Sequence, residues 1–185
     1  TGQIDGISVQ ATITVTFGLP KIGQMFYPGR VRCGRLELVD IGFPKRIIES
    51  SEVETFLISK ENVSALVPRR EPEAHKGTCG SVLVVAGSVG MTGAAALTSQ
   101  AALKSGAGLV TLGIPKRLNS IMEAKLTEVM TRPLPDTEEG TLDLTAEQPI
   151  CNYADQKQQV LAIGPGLSRH SNTVALIHRL ASKLS

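Results

Sequence analysis

The stretch that decides the fold is SVLVVAGSVGMTGAA, residues 81–95. It opens with a continuous apolar run, Ser81–Ala86, of the kind found in strands that are buried on both faces of a sheet. Gly87, Gly90 and Gly93 then recur at intervals of three, and an alanine-rich helix is predicted from about Gly93 to Lys104. A buried strand that leads through a glycine loop into a helix is typical of layered α/β domains.

The pattern of strand followed by helix is repeated towards the end of the chain. Leu109–Leu112 is a second predicted strand, and Pro115 is placed to open a helix, because proline is favoured in the first helical turn. A third buried strand is predicted at Gln159–Ile163, and Gly164-Pro165-Gly166 ends it. The helix that follows is predicted to bury one face, which consists of Val174, Ile177, Ala181 and Leu184, with Leu180 beside it. This alternation predicts a parallel sheet covered by helices.

The residues upstream of the decisive stretch predict a second, smaller segment. Ala11–Phe17 alternates between apolar and polar residues, as a half-buried strand does, and Leu36–Ile41 is another strand candidate. Two strands without helices to cover them could bury little core by themselves. Ser59 is predicted to cap a short helix that Pro68 ends. The chain is therefore expected to divide within residues 44–75.

Two glycine-rich bends are the strongest candidates for ligand contact. The loop over residues 87–93 leads into a helix start, whose free N–H groups suit a phosphate or another anionic group. Its spacing is neither GxGxxG nor a P-loop, so a tight turn that binds nothing is the alternative. The bend over residues 164–166 ends a strand at the carboxyl edge of the sheet, where ligand crevices of open α/β sheets lie, with a plain turn as its alternative. We predict that the two bends open side by side.

Composition and charge argue against several classes of function. Hydrophobic residues make up 42% and charged residues 19%, which suits a folded protein. A net charge of +2 does not favour nucleic acid or a membrane surface as a partner, and no apolar run approaches the length of a membrane span. The cysteines and histidines are widely separated in sequence: Cys33, Cys79, Cys151, His75, His170 and His178. This scatter predicts neither a metal site nor a disulfide framework, and it indicates a reducing cytoplasm.

The titratable residues offer no catalytic set. Pro133 and Pro135 predict a solvated loop, rather than an acidic site, for the carboxylates around them, which are Glu123, Glu128, Asp136, Glu138 and Glu139. No Ser/His/Asp or Cys/His arrangement can be argued from the dispersed histidines. The sequence therefore names no catalytic residue.

A resemblance to a known family covers most of the chain. Residues 75–115 closely resemble the opening of the NAD(P)H-hydrate dehydratase domain, a member of the ribokinase-like superfamily, through HKGTCGSVLVVAGSVGMTGAAALTSQAALKSGAGLVTLGIP. Leu161–Leu167, LAIGPGL, resembles that family's next signature. Residues 1–44, with TVTFGLPKIGQMFYPG and GRLELVDIGFP, resemble the end of the NAD(P)H-hydrate epimerase domain that is fused ahead of it in many bacteria.

The resemblance implies an α/β fold and two parts. An incomplete ribokinase-like layered α/β domain, the N-terminal part of a dehydratase, is expected over residues 59–185. The C-terminal end of a Rossmann-like epimerase domain, plus a linker, is expected over residues 1–58. Because the end of one domain precedes the beginning of the next, we expect an interior piece of a longer protein.

The function implied by the resemblance is repair of hydrated nicotinamide cofactors. The epimerase interconverts the two hydrate epimers of NADH or NADPH, and the dehydratase phosphorylates the hydroxyl at C6 with ADP or ATP and then eliminates phosphate. The family uses the nucleotide with Mg²⁺, and K⁺ is associated with the epimerase part. The partner is thus NAD(P)H hydrate, in a homo-oligomeric cytoplasmic enzyme. The alternatives are a non-catalytic nucleotide-binding module and, less favoured, a sugar or vitamin kinase of the same superfamily.

The resemblance also assigns residues to the substrate site. Ala94 and Gly166 match family positions that contact the hydrate, and Gly93 and Gly164 are expected to shape those contacts. The family usually continues Gly-Pro-Gly-Leu with another glycine, where this chain has Ser168. The segments that carry the family's nucleotide-binding motifs and catalytic Asp have no counterpart in residues 1–185, so no catalytic residue is assigned.

Overall fold

The computed structural model describes residues 2–49, 54–157 and 160–183. It divides into two compact units, Thr1–Pro68 and Arg69–Ser185, which are called unit 1 and unit 2 below. Gln159 and Leu184, which were included in a predicted strand and a predicted helix, lie outside the described residues.

Unit 1 is built around two parallel strands. These are β1 (Ile13–Phe17) and β2 (Arg35–Val39), and Ile13 pairs with Arg35 at one end of the register. Both strands were predicted from their apolar patterns. The helices of the unit are short: α1 (Ile22–Met25), α2 (Gly29–Cys33), α3 (Lys45–Ile48) and α4 (Lys60–Leu66). The Ser59 hydroxyl accepts a hydrogen bond from the Asn62 N–H at 3.3 Å, which confirms the predicted cap of α4.

Unit 1 buries little of its apolar surface. Among its described residues, Thr16 is the only buried side chain, whereas Val15 on β1 and Leu38 on β2 are each 53% exposed. A two-stranded sheet with short helices has too few layers to enclose a core. The prediction that this segment buries little core by itself is therefore confirmed for the described residues.

Unit 2 contains a four-stranded parallel sheet in the order β5-β4-β3-β6. Its strands are β3 (Ser81–Val85), β4 (Leu109–Pro115), β5 (Met130–Leu134) and β6 (Val160–Ile163). Its helices are α5 (Thr92–Lys104), α6 (Asn119–Lys125), α7 (Glu147–Lys157) and α8 (Ser171–Lys183), with 3₁₀ turns at Lys116–Leu118 and Leu144–Ala146. The predicted parallel sheet with alternating helices is confirmed.

Apolar side chains cover both faces of this sheet, as the decisive stretch predicted. Alternate residues of β3 and its extension point to opposite sides. On one side, Val84 and Ala86 belong to a buried cluster with residues of α5 and α6. On the other side, Leu83 and Val85 belong to a cluster with residues of α7 and α8. Burial on both faces explains why the sequence of β3 is continuously apolar.

Two local predictions were wrong. Pro133, expected in a solvated loop, lies in β5, which is tolerated because β5 is the edge strand and has a free side. The prediction that Pro115 opens a helix is confirmed to within one residue, because Pro115 ends β4 and is the N-cap of the 3₁₀ turn that leads into α6. The face of α8 that was predicted to be buried was also wrong: its buried residues are Thr173, Leu176 and Leu180, whereas Val174 is 39% exposed.

In the described part of the chain, no helix combines the length and the hydropathy needed to cross a bilayer.

Candidate functional site

The order of the strands in unit 2 creates one position where a ligand crevice is expected. β3 has β4 on one side and β6 on the other, so the direction of winding reverses between β3 and β6. In open α/β sheets, ligands bind outside the carboxyl ends of the strands at such a reversal. Both predicted glycine bends begin there, because residues 87–93 follow β3 and residues 164–166 follow β6.

Hydrogen bonds hold the two bends together. The Gly87 N–H donates to the Pro165 carbonyl at 2.9 Å, and the Gly164 N–H donates to the Val85 carbonyl at 2.8 Å. The buried Ser88 hydroxyl donates to the Gly166 carbonyl at 2.8 Å. The prediction that the bends lie side by side is therefore confirmed.

Gly166 lies against the beginning of α5. A Cβ atom at this position would be 3.1 Å from the Cβ atoms of both Ala94 and Met91, and 3.2 Å from the Met91 carbonyl oxygen. The backbone at Gly166 has φ +74°, which side chains other than that of glycine rarely adopt. The structure thus brings Ala94 and Gly166 together, as expected of two residues at one site.

The beginning of α5 forms an accessible polar edge of the crevice. Met91 precedes the helix, and among the described residues no side chain caps it. The first N–H groups of α5, which include those of Gly93 and Ala94, therefore have no partner within the helix. A Cβ at Gly93 would meet no atom within 4 Å, so the space beside that residue is open. Free N–H groups beside open space suit an anionic or strongly polar ligand.

Ser168 has an unusual backbone conformation at the end of the second bend. Its φ is +76°, and it is the only non-glycine residue with positive φ among the described residues. The left-handed region costs an L-residue about 1–2 kcal/mol. Glycine at the corresponding family position, which the resemblance implies, avoids this cost.

We expect Ser168→Gly to raise the free energy of unfolding by about 1 kcal/mol, because it removes this strain while adding some flexibility to the unfolded chain. Urea unfolding followed by circular dichroism measures the change. Ser168→Ala is the matched control, since it removes the hydroxyl but keeps the strained backbone, and it should give no gain. Equal gains from both variants would show that the hydroxyl, not φ, is responsible.

The carboxylates of unit 2 that have clear hydrogen-bonding partners serve structural roles. Donation from the Thr145 backbone N–H, and then from the hydroxyl of Thr145 and the amide of Asn172, holds the pKa of Asp143 below its usual value. Asp143 thereby caps the 3₁₀ turn Leu144–Ala146. Hydrogen bonding from Lys183 lowers the pKa of Glu147, with a smaller contribution from Arg179. These groups tie together α7, α8 and the turn before them.

The described residues do not form a recognisable metal site. No group of three or more His, Cys, Asp or Glu side chains within residues 2–49, 54–157 and 160–183 is arranged to hold an ion.

Comparison with known proteins identifies the family. The family model described as NAD(P)H-hydrate dehydratase matches residues 82–185, which is more than half of the chain. The chain belongs to the NAD(P)H-hydrate dehydratase family. The matched residues include both bends and the whole of α5, so the family assignment and the crevice concern the same part of the molecule.

Similarity to individual relatives extends beyond residues 82–185 and covers almost the whole chain. The chain is 44% identical over 184 residues to the "Bifunctional NAD(P)H-hydrate repair enzyme Nnr" of Moorella thermoacetica, covering 100% of this chain and 34% of that protein. It is 35% identical to the protein of the same description from Thermofilum pendens, covering 98% of this chain and 34% of that protein. The chain thus spans about a third of the length of these curated relatives.

A solved structure supports the fold. A ribokinase-like superfamily protein from Enterococcus faecalis superposes with a TM-score of 0.54 at 21% identity, covering 68% of this chain and 40% of that chain. The expected ribokinase-like α/β fold is therefore shown.

Two features of the site were missed from sequence. Ser88 is 1% exposed and joins the two bends across 78 residues of sequence. The Val89 N–H donates to the Gly140 carbonyl at 3.1 Å, so residues just after β5 also contact the loop after β3. A serine in a glycine loop is too common to predict such a contact. Gly140, which interrupts an acidic stretch, is the one feature that could have indicated a tight turn after β5.

Proposed function

We propose that this chain provides part of the substrate site of an enzyme that dehydrates (6S)-NAD(P)H hydrate to NAD(P)H at the expense of ADP or ATP. The observation that carries the proposal is the pair of bends joined at the reversal between β3 and β6, within the region that matches the dehydratase family. Residues 59–185 would be the N-terminal part of the dehydratase domain, a lyase. Residues 1–58 would be the C-terminal end, with linker, of an epimerase domain, an isomerase that acts on the same hydrate.

In the proposed reaction, the C6 hydroxyl of the hydrate receives the terminal phosphoryl group of ADP or ATP. The phosphate then leaves C6 and a proton is lost from C5, which restores the double bond of the reduced ring. Phosphate is a better leaving group than hydroxide, so the nucleotide removes the main barrier to elimination. Mg²⁺ would accompany the nucleotide and K⁺ the epimerase part, both in a homo-oligomeric cytoplasmic enzyme. The residues of this chain would bind and orient the hydrate rather than transfer protons.

The geometry of the crevice supports the binding roles that the family resemblance implies. The free N–H groups of Gly93 and Ala94 would donate to a polar or phosphate group of the hydrate. Gly166 and Gly164 lack side chains, so the substrate could approach the backbone of the second bend closely. Holding the substrate in one orientation is itself a large part of catalysis, because it replaces the search for a reactive geometry.

The test is an assay of the full-length protein with hydrated NADH, ADP and Mg²⁺, in which the absorbance band of reduced nicotinamide is followed. Recovery of the band that requires ADP supports the proposal. A reaction without ADP is the control for spontaneous dehydration. Folded full-length protein that gives no recovery would defeat the proposal, and calorimetric binding of the hydrate without turnover would favour the alternative, a non-catalytic binding module.

A further inference from the structure

The residues after β5 form a small hairpin at the carboxyl edge of the sheet. Asp136 and Leu142 form an antiparallel bridge, and the Thr137 N–H donates to the Thr141 carbonyl at 2.9 Å. Leu142 is fully buried in the core beneath. This segment, residues 136–142, is called the edge hairpin below.

Arg117, which follows β4, clamps the edge hairpin. Its Nε lies 2.7 Å from the Asp136 Oδ2, and its Nη1 donates to the Glu138 carbonyl at 2.5 Å. The Arg117 backbone N–H donates to the same Asp136 carboxylate at 3.2 Å. The Asp136 side chain is only 14% exposed, so solvent screens the pair less than it would an open surface pair. Charge-assisted bonds of this kind fix both position and orientation.

The edge hairpin in turn touches the loop after β3. The Gly140 carbonyl accepts the Val89 N–H at 3.1 Å, and a Cβ at Gly140 would overlap the Val89 side chain. Three successive residues of the loop are therefore fixed: Gly87 and Ser88 by the bend after β6, and Val89 by the edge hairpin. Met91 and the beginning of α5 follow directly.

We propose that Arg117 is a positioning residue for the substrate crevice, acting through the edge hairpin on the loop after β3. This inference rests on the proposed function, since it takes the crevice beside Ala94 to be the substrate site. Without the contacts of Arg117, the edge hairpin is less fixed, so the Val89 N–H loses a well-positioned acceptor in the Gly140 carbonyl. The N–H groups at the beginning of α5, which would bind the hydrate, are then positioned less precisely. The loss falls on substrate binding rather than on the chemical step, because Arg117 itself is engaged by Asp136 and Glu138.

The test compares Arg117→Met with Arg179→Met in the full-length protein. Arg179 is the matched control, because it also forms an ion pair with a carboxylate side chain that is mostly shielded, that of Glu147, but this pair joins α8 to α7. Arg117→Met should raise KM for the hydrate about tenfold with a smaller change in kcat, the size expected for a modest misplacement of binding groups. Arg179→Met should leave KM unchanged. Hydrogen exchange of the Val89 amide, measured by NMR or mass spectrometry, should accelerate only in Arg117→Met.

Asp136→Asn keeps a side-chain oxygen for Arg117 but removes the charge, and should raise KM in the same direction by a smaller factor. This variant keeps the test possible if Arg117→Met does not fold. An unchanged KM and unchanged Val89 exchange in whichever of the two Arg117–Asp136 variants folds would overturn the inference, as would equal effects in Arg179→Met. If wild-type protein does not turn over the hydrate, the proposed function fails instead, and the exchange measurement alone still tests the clamp.

Discussion

Replacing Gly166 with alanine is expected to lower kcat/KM for the hydrate in the full-length protein about tenfold. The added Cβ would lie 3.1 Å from the Cβ atoms of Ala94 and Met91, which is closer than most real contacts of this kind. The bend and the start of α5 must therefore move apart, and they are the two surfaces that are proposed to hold the substrate. The shift required is a few tenths of an ångström. Because misplacement of about 1 Å can reduce a rate by about two orders of magnitude, this smaller shift is expected to cost about tenfold. Steady-state kinetics with hydrated NADH measures the loss.

Gly80→Ala is the control for backbone strain. Gly80 has φ +75°, similar to that of Gly166, but it lies before β3 rather than in either bend, and a Cβ there would meet no atom within 4 Å. Both variants should therefore be destabilised by about 1–2 kcal/mol through the left-handed backbone. Only Gly166→Ala should also show the large kinetic loss. Comparable kinetic losses in the two variants would mean that strain, and not the contact with α5, explains the effect.

The parts of the fold that were predicted correctly are those whose signal is local. The apolar run that became β3 and the alanine-rich segment that became α5 are each explained by their own residues. β5 was missed because proline usually ends regular structure, and only its place at the sheet edge makes Pro133 acceptable. That place depends on strand order, which no local pattern contains.

The buried face of α8 shows the same limit. The spacing of Val174, Ile177 and Ala181 is compatible with a helical face, but the face that packs is centred on Leu176 and Leu180. Several faces of this helix carry apolar residues, so the choice between them is made by the elements it packs against. Burial of Thr173 is tolerated because its hydroxyl donates to the Leu142 carbonyl at 2.7 Å, a partner 31 residues away.

For the site, the position of the crevice was predicted from the sequence, but the contacts that fix it were not. Glycine and proline mark the two bends, and the rule for parallel sheets predicts that they meet at one edge. The contacts that fix the bends come from ordinary residues whose partners are distant in sequence. Ser88 donates to a residue 78 positions away, and Arg117 reaches Asp136 across 19 positions. The sequence therefore indicated where the crevice would lie, but not what holds it in shape.

Gly93→Ala is expected to separate stability from binding. A Cβ at Gly93 meets no atom within 4 Å, and alanine favours helix over glycine by up to about 1 kcal/mol. The thermal midpoint should therefore rise or stay unchanged. The same Cβ would occupy open space that the hydrate is proposed to fill, so KM for the hydrate should rise about tenfold, as for a misplaced binding group. Thermal unfolding and steady-state kinetics of one preparation measure both effects.

Gln100→Ala provides the matched comparison for this prediction. Gln100 is an exposed residue further along α5, where alanine also favours the helix slightly. It should leave KM unchanged, because it is remote in sequence from the first turn of the helix, whose N–H groups are free. A more stable Gly93→Ala protein with wild-type KM would show that the substrate does not lie beside the beginning of α5. A raised KM in a protein that is no less stable cannot be attributed to damage to the fold, and it would therefore support direct contact between the hydrate and the first turn of α5.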